Sequence, residues 1–299
     1  MRPAGPGRRV AGAVTAVVGT WAVVERQATA EALLGPWPSL AQRRLPTVAR
    51  CRPTGPAVVV LGSAQRRALP AAGTGQPEAS AEAGAEGRSQ GPADLGPTID
   101  VVVRRAGGGA VQVFPGGQAW LDIWVPRNDP AWADDPAVTA AWIGHAWAEA
   151  LGDLGVTGAA VHTGGLGVPV APGPEGAEGG MGPLDDLGRA VCFASLGPGE
   201  VVVGPDRRKL VGISQLRTRA GARVLTMAPL HWDPLPLLRT LAALGVVDAA
   251  GIRELARAAA ERAVGLERLG LRGPAPTVIE RVERAVLGRL LSTGGPGTA

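Results

Sequence analysis

Short apolar runs, not long periodic stripes, dominate the first two thirds of the chain. Runs rich in Val and Ile at Thr20–Glu25, Ala57–Leu61, Ile99–Arg105, Ala110–Phe114, Trp120–Val125, Glu200–Val203, Leu210–Gln215 and Arg223–Ala228 have the length and side-chain character of strands. Gly204-Pro205-Asp206 supplies turn chemistry between two of these runs, so an antiparallel pair is expected there, with Arg207 to Lys209 opening its second strand. One helix is plainly marked: Asp135 as N-cap, Pro136 at the first helical position, and a run to about Leu154. At 3.6-residue spacing Ile143, Trp147, Leu151 and Leu154 form its buried stripe, which leaves His145 and Glu149 on the opposite face. From Leu235 to Leu291 the pattern is helical, punctuated by Pro234, Gly251 and Gly273-Pro274. The expected class is α+β: a mostly antiparallel mixed sheet flanked by helices, with further helices at the chain end.

Two stretches interrupt this pattern. Pro70 to Pro97 has almost no large apolar side chain, so burial cannot offset the entropy of ordering it, and Gly164 to Gly182 is rich in Gly and Pro. Strand-like runs flank both, so they read as disordered insertions at 70–97 and 164–182 in a single domain spanning 19–292. A basic flexible tail over 1–18 and a flexible tail over 293–299 complete the division. Near the start, Arg2, Arg8 and Arg9 precede an uncharged run from Val10 to Val24, and Ala28-Thr29-Ala30 follows, an order that resembles a signal peptide. The run is shorter than the roughly 20 residues of a membrane span, and Gly12, Gly19 and Trp21 interrupt it. It reads instead as a tail leading into a first strand.

Composition narrows the chemistry. The hydrophobic fraction is 45% but aromatics are only 3%, so the core is built mainly of small aliphatic side chains. The net charge of +4 comes with no basic stripe and no interleaved aromatics, which argues against nucleic acid as a partner. Cys51 and Cys192 are too few for a disulfide framework or a zinc cage, so no metal site is expected and a reduced, cytoplasmic setting without membrane attachment is the simpler reading. His145, His162 and His231 read as structural or surface residues. Of the 30 cationic residues one is a lysine, Lys209. A chain that uses arginine almost everywhere keeps a compact ammonium there. The choice is either chance in a solvent-facing turn or a demand for a point donor that a planar guanidinium cannot meet.

Two segments carry candidate chemistry. Arg104-Arg105-Ala106-Gly107-Gly108-Gly109-Ala110 lies between two predicted strands; its glycines let backbone N–H groups approach an anion, and its arginines add charge. No Gly-Lys-Ser/Thr follows, so it is not a P-loop, and read alone such an element is more often only a turn. The second is Arg208-Lys209-Leu210-Val211-Gly212-Ile213-Ser214-Gln215-Leu216-Arg217. Together they resemble the lipoate–protein ligases and octanoyltransferases, which carry an Arg-Arg element running into three glycines and then, about a hundred residues on, Gly-Arg-Lys-x-x-Gly-x-x-Gln-x-Arg. Leu61-Gly62-Ser63-Ala64-Gln65 resembles that family's Gly-x-x-Gln turn, and the similarity extends from about Trp21 to about Leu291.

The resemblance implies a biotin/lipoate ligase-like catalytic domain. It implies that Lys209 contacts the reacting acyl carbonyl, and that Arg104, Arg105, Gly107, Gly108, Gly109, Gly212 and Gln215 bind substrate. Val191-Cys192-Phe193 stands 17 residues before Lys209, where cysteine-dependent octanoyltransferases keep their nucleophile, and Cys192 takes that role by the same resemblance. Read without it, Cys192 is a small buried apolar residue rather than a nucleophile. A thiolate attacks a thioester readily, and a nearby ammonium polarises the carbonyl.

Some positions depart from the pattern. Leu225-Thr226-Met227-Ala228-Pro229 stands where many relatives have His-Gly-Ser, Gln112-Val113 replaces a His-Asp pair, and Ala106 replaces a serine. The activity implied is transfer of an octanoyl or lipoyl group to a lysine of a lipoyl carrier domain, without cofactor, from acyl carrier protein. Its acceptors would be the lipoyl domains of 2-oxoacid dehydrogenase complexes or the glycine cleavage H protein. The 65 residues after Pro234 leave little room for the accessory domain of some ligases. The alternatives are an ATP-dependent lipoate ligase using ATP, Mg2+ and lipoate through lipoyl-adenylate, a biotin ligase of the same fold, and a non-catalytic protein that binds lipoyl or acyl-carrier domains.

Overall fold

The structure is a computed structural model that describes residues 14–18, 20–36, 44–68, 99–165, 168–169 and 186–296. In chain order the elements are β1 (Val14–Val18), β2 (Trp21–Thr29), α1 (Ala30–Leu34), β3 (Thr47–Thr54) and β4 (Val58–Leu61). Then come β5 (Asp100–Val103), β6 (Val111–Val113), β7 (Gln118–Pro126), α2 (Pro136–Asp153), β8 (Ala160–Val161) and β9 (Val168–Pro169). After these follow α3 (Asp186–Ala190), β10 (Ser195–Leu196), β11 (Val201–Val203), β12 (Arg208–Thr218) and β13 (Gly221–Pro229). The chain closes with α4 (Leu235–Ala243), α5 (Ile252–Arg262) and α6 (Ala275–Thr293).

Eight strands form the main sheet in the order β1-β2-β3-β7-β13-β12-β11-β8, and only β2 with β3 runs parallel. The α+β expectation holds. A smaller sheet, β5-β4-β6, faces it, and β9 pairs with β10. The two-residue period of a strand sorts the layers: on β7, Leu121, Ile123 and Val125 join the cluster that holds Trp147 of α2 and Val282 of α6, while Trp120 and Trp124 turn to the other face with Val60 and Val111 of the smaller sheet. Leu237, Leu238 and Leu241 of α4 cover the far side of that smaller sheet, against Val59 and Leu61. A space between the two sheets therefore has apolar walls on both sides.

α2 starts where its cap dictates, with the Asp135 carboxylate accepting from Ala137 N at 2.8 Å. Ile143, Trp147 and Leu151 are fully buried, and His145 and Glu149 are exposed. The turn at Gly204–Arg207 joins β11 to β12 as an antiparallel hairpin. Beneath α1 lies a buried charge cluster: Asp122 accepts from Arg26 at 2.9 Å and from Arg223 at 2.7 Å, and the Arg223 guanidinium donates to the carbonyls of Leu33 and Gly35. The two cations thus satisfy carbonyls left open at the end of a short helix.

Three expectations about the chain's divisions need adjusting. Val14–Val18, assigned to a basic tail, pair as a strand with β2, and the rest of that tail, 1–13, lies outside the described residues. Val168–Pro169, inside the second insertion, form β9, whereas the remainder of that insertion beyond 165 and all of 70–97 lie outside the described residues. Thr293 ends α6, so the C-terminal tail begins at Gly294. Among the described residues no helix is long and apolar enough to cross a membrane.

Candidate active site

The slot between the sheets has a volume of about 470 Å³ including its mouth. Its deeper walls are Val60, Val111, Trp120, Leu225 and Met227, with Leu34 of α1 along one side. Cys192, Arg104 and Ser214 bring the polar and sulfur atoms. A slot of this kind suits an apolar chain with one reactive polar end.

Cys192 sits on a short 3-10 turn between α3 and β10, and two backbone contacts anchor it: Cys192 N donates to Ala110 O at 2.9 Å, and Ala110 N donates to Ala190 O at 2.8 Å. The Gly-rich turn therefore packs directly on the cysteine loop. Glycine is required there for a physical reason. A Cβ on Gly109 would lie 2.7 Å from Cys192 N, and Gly108 has φ of +98°, with a Cβ there 2.8 Å from the Arg104 guanidinium and 4.0 Å from the Cys192 sulfur. Arg104 is buried and fixes the turn, its guanidinium donating to Gly107 O at 2.8 Å and to Gly109 O at 3.0 Å. Among the described residues the N–H groups of Gly107, Gly108 and Gly109 have no acceptor. Gly62 completes the packing, since a Cβ there would fall 1.7 Å from Gly108 O, and Gln65 bridges Gly62 N and Ala190 O.

Lys209 is 1% exposed, on β12 next to an irregular step in its pairing with β11. Its ammonium donates to Cys192 O at 2.8 Å and Ser195 O at 2.9 Å, and it pairs with Glu200 at 2.6 Å. These three acceptors match the three protons of an ammonium. The ring of Phe193 lies 5.2 Å from the nitrogen. Lys209 thus lies one layer beneath the slot, its chain behind Gly212, where a Cβ would stand 3.7 Å from Lys209 Cε and 3.4 Å from the Phe193 ring. A buried ammonium needs a partnered anion, and Glu200, 4% exposed, is that anion; it also accepts from Gly197 N at 2.8 Å and Ile213 N at 3.1 Å.

The structure brings Cys192, Arg104, Gly107, Gly108, Gly109, Gly212 and Lys209 into one neighbourhood. It does not bring Gln215 or Arg105 there. Gln215 donates to Pro136 O at 2.7 Å, and with Arg217, which bonds the carbonyls of Ala133 and Asp134 and stacks 4.2 Å from the Trp132 ring, it holds the segment entering α2. Arg105 is exposed and is not among the slot's walls. Glu200 escaped the sequence reading. Its signal was indirect: an ammonium kept alone among arginines implies a dedicated carboxylate, but spacing does not say which.

The second cysteine is unlike the first. Cys51 is buried in β3, and burial, followed by the nearby Asp122 carboxylate, pushes its thiol well above the ordinary range. His162 is also buried; burial pulls its imidazole below the usual value, opposed by a bond to Gly165 O. Among the described residues no cluster of His, Cys, Asp and Glu could hold a metal ion.

An α+β domain with an apolar slot between two sheets, a thiol at the slot's polar end and a Gly-rich turn beside it defines the class. More particularly, the fold is that of the lipoate–protein ligase catalytic domain. The chain superposes with a TM-score of 0.50 on a Thermoplasma acidophilum protein described as a lipoate protein ligase, with lipoic acid bound, at 13% identity over 92% of this chain and 85% of that one. It also resembles lipoate-protein ligase A bound with ATP, with a TM-score of 0.47 at 14% identity over 92% of this chain and 84% of that one. A third is the bipartite lipoate protein ligase of Thermoplasma acidophilum studied with its E2 lipoyl domain, at 0.45 and 13% identity over 83% and 71%. No family model matches the sequence, and no curated protein matches it.

Proposed function

We propose that this chain is an acyltransferase that moves an octanoyl or lipoyl group onto the ε-amine of a lysine in a lipoyl carrier domain. One observation carries the reading: Cys192 lines an apolar slot beside Arg104 and Ser214, and the chain's one lysine is buried where it holds that residue's carbonyl in place. The Cys192 thiolate attacks the thioester of an acyl carrier; the carrier thiol leaves as the acyl group becomes a thioester on Cys192. The neutral amine of the target lysine then attacks that thioester, an amide forms, and the Cys192 thiol is regenerated. The unpaired N–H groups of Gly107, Gly108 and Gly109 are suited to stabilise the oxyanion in both steps. Lys209 in the form described acts through the Cys192 loop; contact with the acyl carbonyl would require it to release Cys192 O or Ser195 O. The lipoic acid bound by the structural neighbour supports an acyl chain of this class.

The same three N–H groups also favour a second reading, because they would suit the phosphate of lipoyl-adenylate in an ATP- and Mg2+-dependent ligase. The acceptor in either case is a lipoyl domain of a 2-oxoacid dehydrogenase complex or the glycine cleavage H protein. Intact-mass measurement of such a domain, incubated with the protein and either octanoyl carrier protein or lipoate with ATP, tests both. A gain of octanoyl mass that disappears in Cys192→Ser supports transfer through the cysteine. A gain only with ATP, unaffected by Cys192→Ser, supports ligation, and no gain under either condition leaves a binding protein.

A further inference from the structure

A second cavity adjoins the slot. It has a volume of about 600 Å³ including its mouth, and Val111, Phe193 and Met227 wall both spaces. Its remaining walls include Phe114, Pro229 and Trp232, while the exposed His231 and Asp233 mark its outer end. Of the three shared side chains, two are fixed. Phe193 is 1% exposed, its ring tilted against that of Trp232 at 5.2 Å between centroids with the Lys209 ammonium also in contact, and Val111 is a buried β-branched residue in β6. Met227 is different: it is partly exposed on β13, unbranched, and has three rotatable side-chain bonds, so it can change shape at small cost.

The geometry points to Met227 as a chain-length gate: it stands in the wall shared by the slot and the second cavity, and its rotation would join the two so that the distal methylenes of a long acyl chain enter the second one. The inference rests on the acyl-slot reading above. The occupant follows from the walls: the partition is apolar and Phe114, Pro229 and Trp232 continue it into the second cavity, where Gln112 and Gln118 are the polar groups beside an otherwise largely apolar lining.

The test is calorimetric titration of octanoate, dodecanoate and tetradecanoate into the wild-type chain, Met227→Ala, and Met227→Ala combined with Gln112→Trp, which fills the second cavity from its side. Each added buried methylene is worth about a fourfold gain in affinity. The ratio of tetradecanoate to octanoate affinity should therefore rise at least about tenfold in Met227→Ala and return toward the wild-type ratio in the double variant. Met227→Val, suited to a strand, gives the same reading with a smaller rise if the alanine variant does not fold. An unchanged ratio in a variant that still binds octanoate overturns the gate and leaves the slot standing. If the wild-type chain binds none of the three acids, the acyl-slot reading falls and the gate falls with it.

Discussion

At the scale of single residues the decisive pair is Lys209 with Glu200, each at most 4% exposed. Removing one member leaves the other charge buried and unpaired, which typically costs about 3–5 kcal/mol, whereas replacing both is far milder. Lys209→Met should therefore lower stability by about that amount in urea unfolding. Lys209→Met with Glu200→Gln should recover most of it while acyl transfer stays lost. If the double variant is no more stable than the single one, the pairing is not what holds the lysine. His162 gives a pH dependence with a definite sign. Its folded imidazole binds protons less readily than the unfolded one, because burial disfavours the charged form. Its contribution is then fully present above the ordinary histidine value of about 6.5 and is lost as pH falls through the lower folded value. Melting temperatures at pH 7.5 and 5 should differ less in His162→Gln than in the wild-type chain.

At the scale of elements the Gly-rich turn and the cysteine loop behave as one unit. Gly109→Ala places a methyl against the backbone of Val191 and Cys192, both within 3.0 Å. Overpacking of this kind costs about 1–3 kcal/mol, so the variant should melt lower and lose transfer activity together. Gly107→Ala meets nothing within 4 Å and should leave stability within about 0.5 kcal/mol. Much of this architecture could be read in the sequence: runs such as Val201–Val203 and the capped helix at Pro136 follow from local chemistry alone. β3 could not be read so easily. Its alternation is carried by Arg50 and Arg52 around Cys51, with Pro53 following, and such residues signal a strand only once a sheet stands on both sides. That Cys192, Lys209 and the glycines lie together follows the order of the motifs along the chain. For Gln215 the motif gives the strand but not the partner, and in the structure the partner is Pro136.

At the scale of the molecule, buried ion pairs tie distant segments together. Asp122 on the central strand β7 meets Arg26 from β2 and Arg223 from β13, which in turn hold α1, whose Leu34 walls the slot. Asp122→Leu would leave two cations buried together, so unfolding in urea should show a loss of about 3–5 kcal/mol. Because the cluster is shielded from solvent ions, that loss should be nearly the same in low and high salt. On the opposite face Arg52 and Trp120 N share Glu283 of α6, fastening the last helix to the sheet. One further consequence follows from burying the chain's single lysine. In the folded molecule the one lysine of the sequence is out of reach of amine-directed reagents. Any label that does arrive at position 209 counts molecules that have opened.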